Sequence, residues 1–317
     1  MLIPLAKHRQ CFRATGLFWL TLILLFIHPA PVLAKGKFLK SQVLRQDTTW
    51  AGDITIEGVI VVGRATTLTI SPGTQVSFKK IDENHDGIGD SEIRVLGRIL
   101  AEGSPEQMIR FASAENSPAP KDWSYLLLFT SGSFNRIRYC EFQHGFSGLQ
   151  VQFSTATVTD SLFHNNHEGI RFGRADLDLE HNEFFQNDVA IRFTRMEGPV
   201  LINYNKIFQN RLGIFLVPSG QNITDFFEPD RSGSPWNTGR LRITNNDLTD
   251  NQWYNLNLGT KQLWDIEVSG NFWGSTVPAE IESTIFDQHR DPELGTAIIQ
   301  PFAEHSIPTA GVRRITP

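Results

Sequence analysis

The fold of this 317-residue chain is decided by the stretch from His181 to Phe193, HNEFFQNDVAIRF. It is too apolar for a surface loop and too rich in asparagine for an ordinary strand. Asn182 lies two residues before Phe184. Asn187 lies four residues before Ile191, and both spacings recur on either side of this stretch. A recurring spacing of this kind indicates an architecture of stacked structural repeats.

Each copy of the repeat begins at a small polar residue that is followed, two positions later, by a large apolar one. The small polar residues are Cys140, Ser161, Asn182, Asn205, Asn246 and Asn271, at steps of 21, 21, 23, 41 and 25 residues. The apolar residues are Phe142, Phe163, Phe184, Ile207, Leu248 and Trp273. Apolar residues two apart, separated by short polar corners, favour strands over helices.

A period of 21 to 25 residues with three short apolar runs is the length of one coil of a parallel β-helix. We therefore predict an all-β fold, a single-stranded right-handed parallel β-helix whose equivalent residues stack about 4.8 Å apart. The asparagines then form two ladders, because each amide can bond to the amide above and below. The second ladder consists of Asn166, Asn187, Asn210 and Asn251. We also expect these asparagines to adopt the left-handed backbone conformation at the bends.

The rest of the chain divides around these coils. We predict an N-terminal cap at 35–53, coils over 54–275 with insertions at 79–91 and 218–239, and a C-terminal cap and tail over 276–317. A short helix from Ala279 to Phe286 is expected in the C-terminal cap. The cap residues would protect the open ends of the stack from edge-to-edge association.

Residues 1–34 have the composition of a signal peptide. Three basic residues precede an 11-residue apolar run from Leu17 to Ile27, and a small-residue cleavage site follows at 32–34. The protein is therefore expected to be exported, to the periplasm or the cell exterior, with no membrane span in the mature chain. The formal net charge of −5 argues against a nucleic acid partner. Beyond this leader, Cys140 is the one cysteine, so no intrachain disulfide is expected.

Two further stretches resemble a known superfamily. GNFWGSTVPAEIESTIFDQHRDPELGTAIIQPF (Gly270–Phe302) and TLTISPGTQVSF (Thr67–Phe78) are similar to segments of the pectate-lyase-like right-handed β-helix superfamily, specifically its bacterial periplasmic and secreted repeat proteins. The likeness covers most of the chain beyond the leader. It implies the fold and not an activity, because the superfamily includes polysaccharide lyases, glycosidases, phage tailspikes, copper-delivery helpers and non-catalytic surface proteins.

The sharpest local motif is DENHDGIGDSE, from Asp82 to Glu92. Its oxygen ligands alternate as in the first nine positions of an EF-hand loop, but position twelve is Ile93 rather than Glu. The predicted calcium ligands are Asp82, Asn84, Asp86, Asp90 and Glu92. We expect a structural calcium ion here; the alternative is a solvated acidic turn between two coils.

Stacking also brings two arginines together on the outside of the helix. Arg171 and Arg192 occupy equivalent positions in neighbouring coils, about 4.8 Å apart. Like charges in this position destabilise a sheet, so a partner is expected. A carboxylated sugar could bind the guanidinium groups, which makes both arginines candidate ligand-binding residues. An internal carboxylate, Glu168 or Asp188, could neutralise them instead.

The insertion at 218–239 is the other candidate ligand site, because solenoids place binding residues on projecting loops. Trp236 suits stacking on a sugar ring, and the candidate catalytic residues are Asp225, Glu228 and Asp230. Two such carboxylates would suffice for glycoside hydrolysis. The histidines at 164, 167 and 181 are either surface residues or a copper or zinc site across adjacent coils.

These patterns favour an exported envelope β-helix that binds an extended polysaccharide, or another envelope component, without catalysis. One alternative is a carbohydrate-active enzyme, a polysaccharide lyase or glycoside hydrolase with its site at 218–239. Another is a structural or assembly scaffold without a sugar ligand. Whether the chain is an enzyme stays open at this point.

Overall fold

The computed structural model describes residues 36–132, 134–195, 198–216, 241–259 and 262–314. The predicted signal peptide, 1–34, and the predicted insertion, 218–239, lie outside the described residues, as do Asp225, Glu228, Asp230 and Trp236. The described residues belong to one unit, Ala34–Pro317. Among them, no helix reaches the length and hydrophobicity needed to cross a bilayer.

Short parallel strands stack into three faces, which confirms the predicted right-handed parallel β-helix. Face A contains Gln75–Phe78, Ile109–Ser113, Cys140–Gln143, Leu162–His164, Glu183–Phe185, Lys206–Phe208 and Asp247–Thr249. Face B contains Glu92–Val95, Trp123–Phe129, Gly145–Gln152, Glu168–Gly173, Val189–Arg195, Leu212–Leu216, Tyr254–Asn257 and Ile285–Phe286. Face C contains Thr48–Trp50, Thr67–Ile70, Arg98–Glu102, Asn135–Arg138, Thr155–Thr159, Asp176–Glu180, Val200–Asn203 and Leu241–Thr244.

Parallel strand pairs are present at both ends of the stack. The long strands Lys37–Leu44 and Asp53–Val62 pair in parallel and run from face A into face B. At the other end, Ile266–Glu267 pairs with Ala297–Ile298. The C-terminal helix, Pro278–Ser283, ends before the predicted Phe286. It stops because Ile285 and Phe286 join face B, where Ile285 pairs with Leu256.

The interior is a set of columns of like residues. Phe142, Phe163 and Phe184 pair in register and are fully buried, and Ile207 continues their column. The ring centroids of successive phenylalanines are 4.8 Å apart, at angles below 10°. This is the coil spacing itself, so each ring packs flat on the next, and the predicted interior column is confirmed.

The asparagine ladders are also present, at two of the corners. The backbone N and the Nδ2 of Asn182 donate to Oδ1 of Asn205 at 2.9 and 3.0 Å, and Asn205 bonds to Asn246 in the same way. The second ladder includes the equivalent bond from Asn187 to Asn210. All of these side chains are buried, so the ladder satisfies corner backbone groups that water cannot reach.

The prediction that the ladder asparagines adopt the left-handed backbone conformation is wrong. The residue before each of them adopts it instead. His181 and Tyr204, which precede Asn182 and Asn205, have φ values of 55° and 53°. The physical reason is that the two residues have different roles at the corner. The left-handed residue turns the chain, and the turn directs the next side chain inward, where its amide can reach the neighbouring coil.

Candidate ligand-binding strip on face B

Arg171 and Arg192 are register partners on face B, as the sequence predicts. The carboxylate of Glu168 accepts hydrogen bonds from both arginines. Arg171 donates Nε and Nη2 to Glu168 at 2.7 and 2.6 Å, and Arg192 donates Nη1 at 2.7 Å. The Glu168 side chain is completely buried, whereas about a quarter of each arginine side chain is exposed. Two guanidinium groups therefore share a single negative charge at the surface.

A second column of side chains runs beside this pair, along the edge where face B begins. The Phe146 ring stacks on His167 at 5.1 Å, and His167 Nδ1 lies 2.7 Å from Asp188. Asp188 in turn lies 3.5 Å from Arg211 Nε. The Arg211 guanidinium packs over the Trp253 ring at 4.6 Å. The contacts are continuous over five coils.

The corner chemistry explains why these side chains line up. A left-handed residue turns the chain at His144, Asn165, Gln186, Gln209 and Asp250. The next residue points inward, as Asn187 and Asn210 do, so the one after it points outward. Asp188 and Arg211 occupy that outward position, whereas Trp253 lies one residue further along its coil.

The two columns together form what we call the face B strip. Its residues are Phe146, His167, Arg171, Asp188, Arg192, Arg211, Phe215 and Trp253. Five coils at about 4.8 Å give the strip a length of about 19 Å. Its three arginines exceed its two carboxylates, Glu168 beneath and Asp188, so one positive charge is uncompensated.

Several donors and rings of the strip are available to a ligand. Trp253 is 54% exposed, and Arg192 lies over the half-buried Phe215 ring at 6.0 Å. About a quarter of the Arg171 and Arg192 side chains is exposed, so part of each guanidinium can be reached from the surface. Guanidinium groups recognise carboxylate and phosphate groups through paired hydrogen bonds, and flat rings pack against apolar ligand faces.

The sequence indicated only part of this strip. Arg171 and Arg192 were predicted from their equivalent positions, whereas Phe146, Arg211 and Trp253 were missed. A usable signal exists for Arg211, since it directly follows the inward Asn210 of the second ladder, as His167 follows Asn166 and Asp188 follows Asn187. Phe146 follows a glycine and Trp253 lies one residue further along its coil, so this rule does not find them. Trp236 and the three candidate catalytic carboxylates of the insertion lie outside the described residues, so their roles stay predictions.

The side chains of the acidic loop, residues 82–90, accept hydrogen bonds from the backbone of the same loop. Asp82 accepts hydrogen bonds from the N–H groups of Asp86 and Gly87, both at 3.1 Å. Asp86 accepts one from Ile88 at 2.8 Å, and Asp90 accepts one from Glu83 at 2.8 Å. Asn84 donates Nδ2 to Asp86.

Glu92 lies two residues after Asp90 of this loop, and the charge of Asp90 contributes to raising its pKa. Glu92 is the first residue of its face B strand, where it is buried against Arg94 and Tyr125. Burial raises the pKa of Glu92, although the charge of Arg94 and the hydrogen bond from Tyr125 oppose the rise. The side chain is therefore engaged in the β-helix, and it would have to turn away from Arg94 and Tyr125 to bind an ion in the loop.

The three candidate metal-binding histidines have contacts within the fold, and the cysteine is buried. His164 Nε2 lies 2.9 Å from Glu141 on face A, and His181 Nδ1 lies 2.9 Å from the Thr309 carbonyl oxygen. His167 belongs to the strip, so the three histidines are not brought together. Within the described ranges, no three His, Cys, Asp or Glu side chains are grouped to hold a metal ion. Cys140 is completely buried, and burial raises the pKa of its thiol.

The fold defines the class of protein: a right-handed parallel β-helix, here with a strip of arginines and aromatic rings on the outside of one face. A family model described as "Periplasmic copper-binding protein (NosD)" matches residues 50–277, so the chain belongs to the NosD family. This membership agrees with the predicted export to the cell envelope. No curated protein and no solved structure matches the chain.

Proposed function

We propose that this periplasmic β-helix protein binds an extended anionic polysaccharide along the face B strip, without catalysis. The observation that carries the proposal is the pair Arg171 and Arg192, which share the one buried carboxylate of Glu168. Their remaining donors suit a carboxylated sugar, because a guanidinium can take a carboxylate with two hydrogen bonds. The rings at the two ends, Phe146 and Trp253, suit the apolar faces of sugar rings.

The shape of the strip supports an extended ligand. A rigid solenoid presents its ligand groups in a line at a fixed spacing, and a polymer with a short repeat can contact several coils at once. Multiple weak contacts along one chain then add through effective concentration. A compact ligand would use only one or two of the five coils.

The strip supports binding more than catalysis. Glycoside hydrolysis generally uses two carboxylates that flank the scissile bond. Glu168 is completely buried under two arginines, which leaves Asp188 as the accessible carboxylate of the strip. A carbohydrate-active enzyme would therefore need the insertion at 218–239, with Asp225, Glu228 or Asp230. A scaffold without a sugar ligand is the remaining alternative.

The description of the family names copper, and the described residues do not fit a copper site. Copper prefers thiolate, thioether and imidazole ligands. The Cys140 sulfur lies inside the helix, 3.4 Å from the carbonyl oxygens of Ala101 and Arg138, and its raised pKa keeps it a thiol. His164 is hydrogen-bonded to Glu141 on face A, and His181 is hydrogen-bonded to the Thr309 carbonyl oxygen at a corner. We therefore derive no copper chemistry from this part of the chain.

A structural calcium ion at the acidic loop stays part of the proposal. Asp82, Asn84, Asp86 and Asp90 supply hard oxygen ligands within nine residues, and Gly87, with φ of 81°, provides the tight turn. The aspartate side chains now accept backbone N–H groups, so calcium binding requires them to direct free oxygen lone pairs at the ion. Without Glu92, water or a neighbouring carbonyl would complete the shell.

The proposal is tested by calorimetric titration of the protein with polygalacturonate, using uncharged dextran for comparison. We expect saturable binding of polygalacturonate, and a loss of about tenfold or more, ~1.4 kcal/mol, in Trp253→Ala and in Arg192→Gln. Trp264→Ala is the matched control, since Trp264 is 44% exposed and lies outside the strip.

The alternatives give different results in the same assays. Equal binding of dextran, or unchanged affinity in both strip variants, would overturn the proposal. Release of reducing ends or of unsaturated products from a glycan panel would support the carbohydrate-active enzyme. Failure to bind any glycan on an array would support the scaffold.

A further inference from the structure

The C-terminal tail lies across the coils, on the corner between faces C and A. We define the tail segment as residues 306–314. Ile307 donates its N–H to Asp247 at 2.8 Å, and Gly311 donates to the Tyr204 carbonyl at 2.8 Å. Tyr139 donates its hydroxyl to the Arg313 carbonyl at 3.0 Å. The segment therefore runs back along the helix axis, from one of the last coils to one near the middle.

Near the end of this segment, Arg313 lies against face C. Arg313 donates Nε and Nη2 to the two carboxylate oxygens of Asp160 at 2.7 and 2.6 Å. The Asp160 side chain is completely buried, and Arg138 Nε donates to it as well, at 3.3 Å. Two guanidinium groups from distant parts of the sequence therefore meet at one carboxylate.

Face C supplies the other side of a groove beside Arg313. Arg136 and Arg138 point outward from one strand, on either side of the buried Ile137. Thr157 and Thr159 are their register partners on the next coil. The groove has a volume of about 420 Å³ and is lined by Glu102, Arg136, Arg138, Thr157, Thr159 and Arg313.

Arg136 is the least engaged arginine of this groove. Asp160 is already bonded to Arg138 and Arg313, and the charge of Glu180 on the next coil also acts on Arg313. Arg136 is 56% exposed, and its contact with Glu102 is long, at 3.8 Å. Its guanidinium donors are thus available to a ligand, next to two threonine hydroxyl groups.

The same register limits the size of the ligand. On the coil beyond Thr157 and Thr159, the partners are Asp178 and Glu180. Negative charge therefore bounds the groove on that side, so an anionic polymer that continued along the face would be repelled. A volume of about 420 Å³ lies at the lower end of the range for small-molecule sites.

We propose that this groove between face C and the tail segment binds a small molecule that carries a phosphate or sulfate group. Arg136, Arg138 and Arg313 surround the anionic group, and Thr157 and Thr159 donate hydroxyl hydrogen bonds. Arginine suits this role because its planar fork matches the oxygens of phosphate. The site depends on the docked tail segment, since Arg313 reaches it only through the contacts of that segment. It lies on another face from the strip and is independent of it.

The test uses calorimetric titration of the full chain with glucose 6-phosphate, inorganic phosphate, inorganic sulfate and glucose. We expect saturable binding of the anions and none of glucose. Arg136→Gln should weaken anion binding about tenfold or more, because this variant removes a guanidinium whose contact with Glu102 is long, at 3.8 Å. Arg313→Gln should weaken it at least as much.

The matched control is Arg242→Gln. Arg242 is exposed in the same outward column of face C, but beyond Asp178 and Leu201. Equal losses in Arg136→Gln and Arg242→Gln would overturn the proposal, because they would indicate a general charge effect. Unchanged affinity in Arg136→Gln, or no saturable anion binding, would overturn it too. Trp253→Ala should leave anion binding unchanged, which separates this site from the strip.

Discussion

Asn182 and Asn205 are 23 residues apart in sequence and are joined by two hydrogen bonds, since Oδ1 of Asn205 accepts both the backbone N–H and the side-chain amide of Asn182. The Asn205 amide also donates to the carbonyls of Leu179 and Asn203. A single side chain thus satisfies backbone groups on its own coil and on the coil before it. This relationship, repeated along two corners, links the local turn to the stacking of the coils.

Replacing Asn205 with alanine should lower the free energy of unfolding by about 2–4 kcal/mol. The reason is that the Asn182 N–H and the Leu179 carbonyl would be buried without partners, at about 1–3 kcal/mol for each group. The measurement is urea-induced unfolding.

The control for the ladder is Asn203→Ala. Asn203 is a half-buried asparagine at the surface of the same coil. Its Nδ2 donates a long bond of 3.4 Å to Glu180, and its Oδ1 accepts one of 3.1 Å from Asn245 Nδ2. We expect a change of about 0.5 kcal/mol or less in this variant. Similar losses in both variants would contradict the special role of the ladder.

The tail segment should stabilise the protein in a pH-dependent way. Burial raises the pKa of Asp160, but the hydrogen bonds and the charge of Arg313 outweigh burial and hold that pKa below its ordinary value. A carboxyl group with a depressed pKa in the folded state stabilises it above the unfolded pKa, about 3.9, and this contribution is lost as the pH falls through the folded pKa.

Arg313→Gln should therefore be less stable than the natural protein near neutral pH, by about 1–3 kcal/mol. The difference should shrink as the pH falls below about 4, because Asp160 becomes protonated in both proteins. Urea unfolding across this pH range is the measurement. Arg314→Gln is the control, since Arg314 is 73% exposed and lies 3.4 Å from Glu183. A difference that did not change with pH would argue against the role of Asp160.

Cys140 should be inert in the folded protein. Its side chain is fully buried, and burial raises the pKa of the thiol, so the reactive thiolate is scarce at neutral pH. A Cys11→Ser variant, which leaves Cys140 as the one cysteine, should react with a thiol reagent only after denaturation. Rapid labelling of the native variant would contradict the buried position.

Calcium should raise the midpoint of thermal unfolding if the acidic loop binds it. We expect an increase with added calcium that a chelator reverses, and we expect Asp86→Asn to abolish it because that variant removes a charged ligand. Glu92→Gln should retain the calcium response, since Glu92 is turned toward Arg94 and Tyr125. A midpoint that is indifferent to calcium and chelator would contradict the site.

Several features of the site could not be predicted from spacing alone. The repeat predicts that Arg171 and Arg192 are neighbours, yet it leaves open whether Glu168 or Asp188 neutralises them. That choice depends on side-chain direction: Glu168 is buried beneath both arginines, whereas Asp188 faces His167 and Arg211. Side-chain direction also decides the environment of Glu92, which is buried against Arg94 and Tyr125.

By itself, the sequence determined the β-helix, its interior phenylalanine column and its asparagine ladders. These follow from a local repeat, because stacking coils of nearly constant length brings equivalent residues about 4.8 Å apart. Only the tertiary structure decided which outward side chains meet, such as Arg211 with Trp253, and where the tail lies, with Arg313 on Asp160. Those contacts join residues from 42 to 153 positions apart. No spacing rule specifies them, since they depend on side-chain direction and on the path of a non-repeating segment.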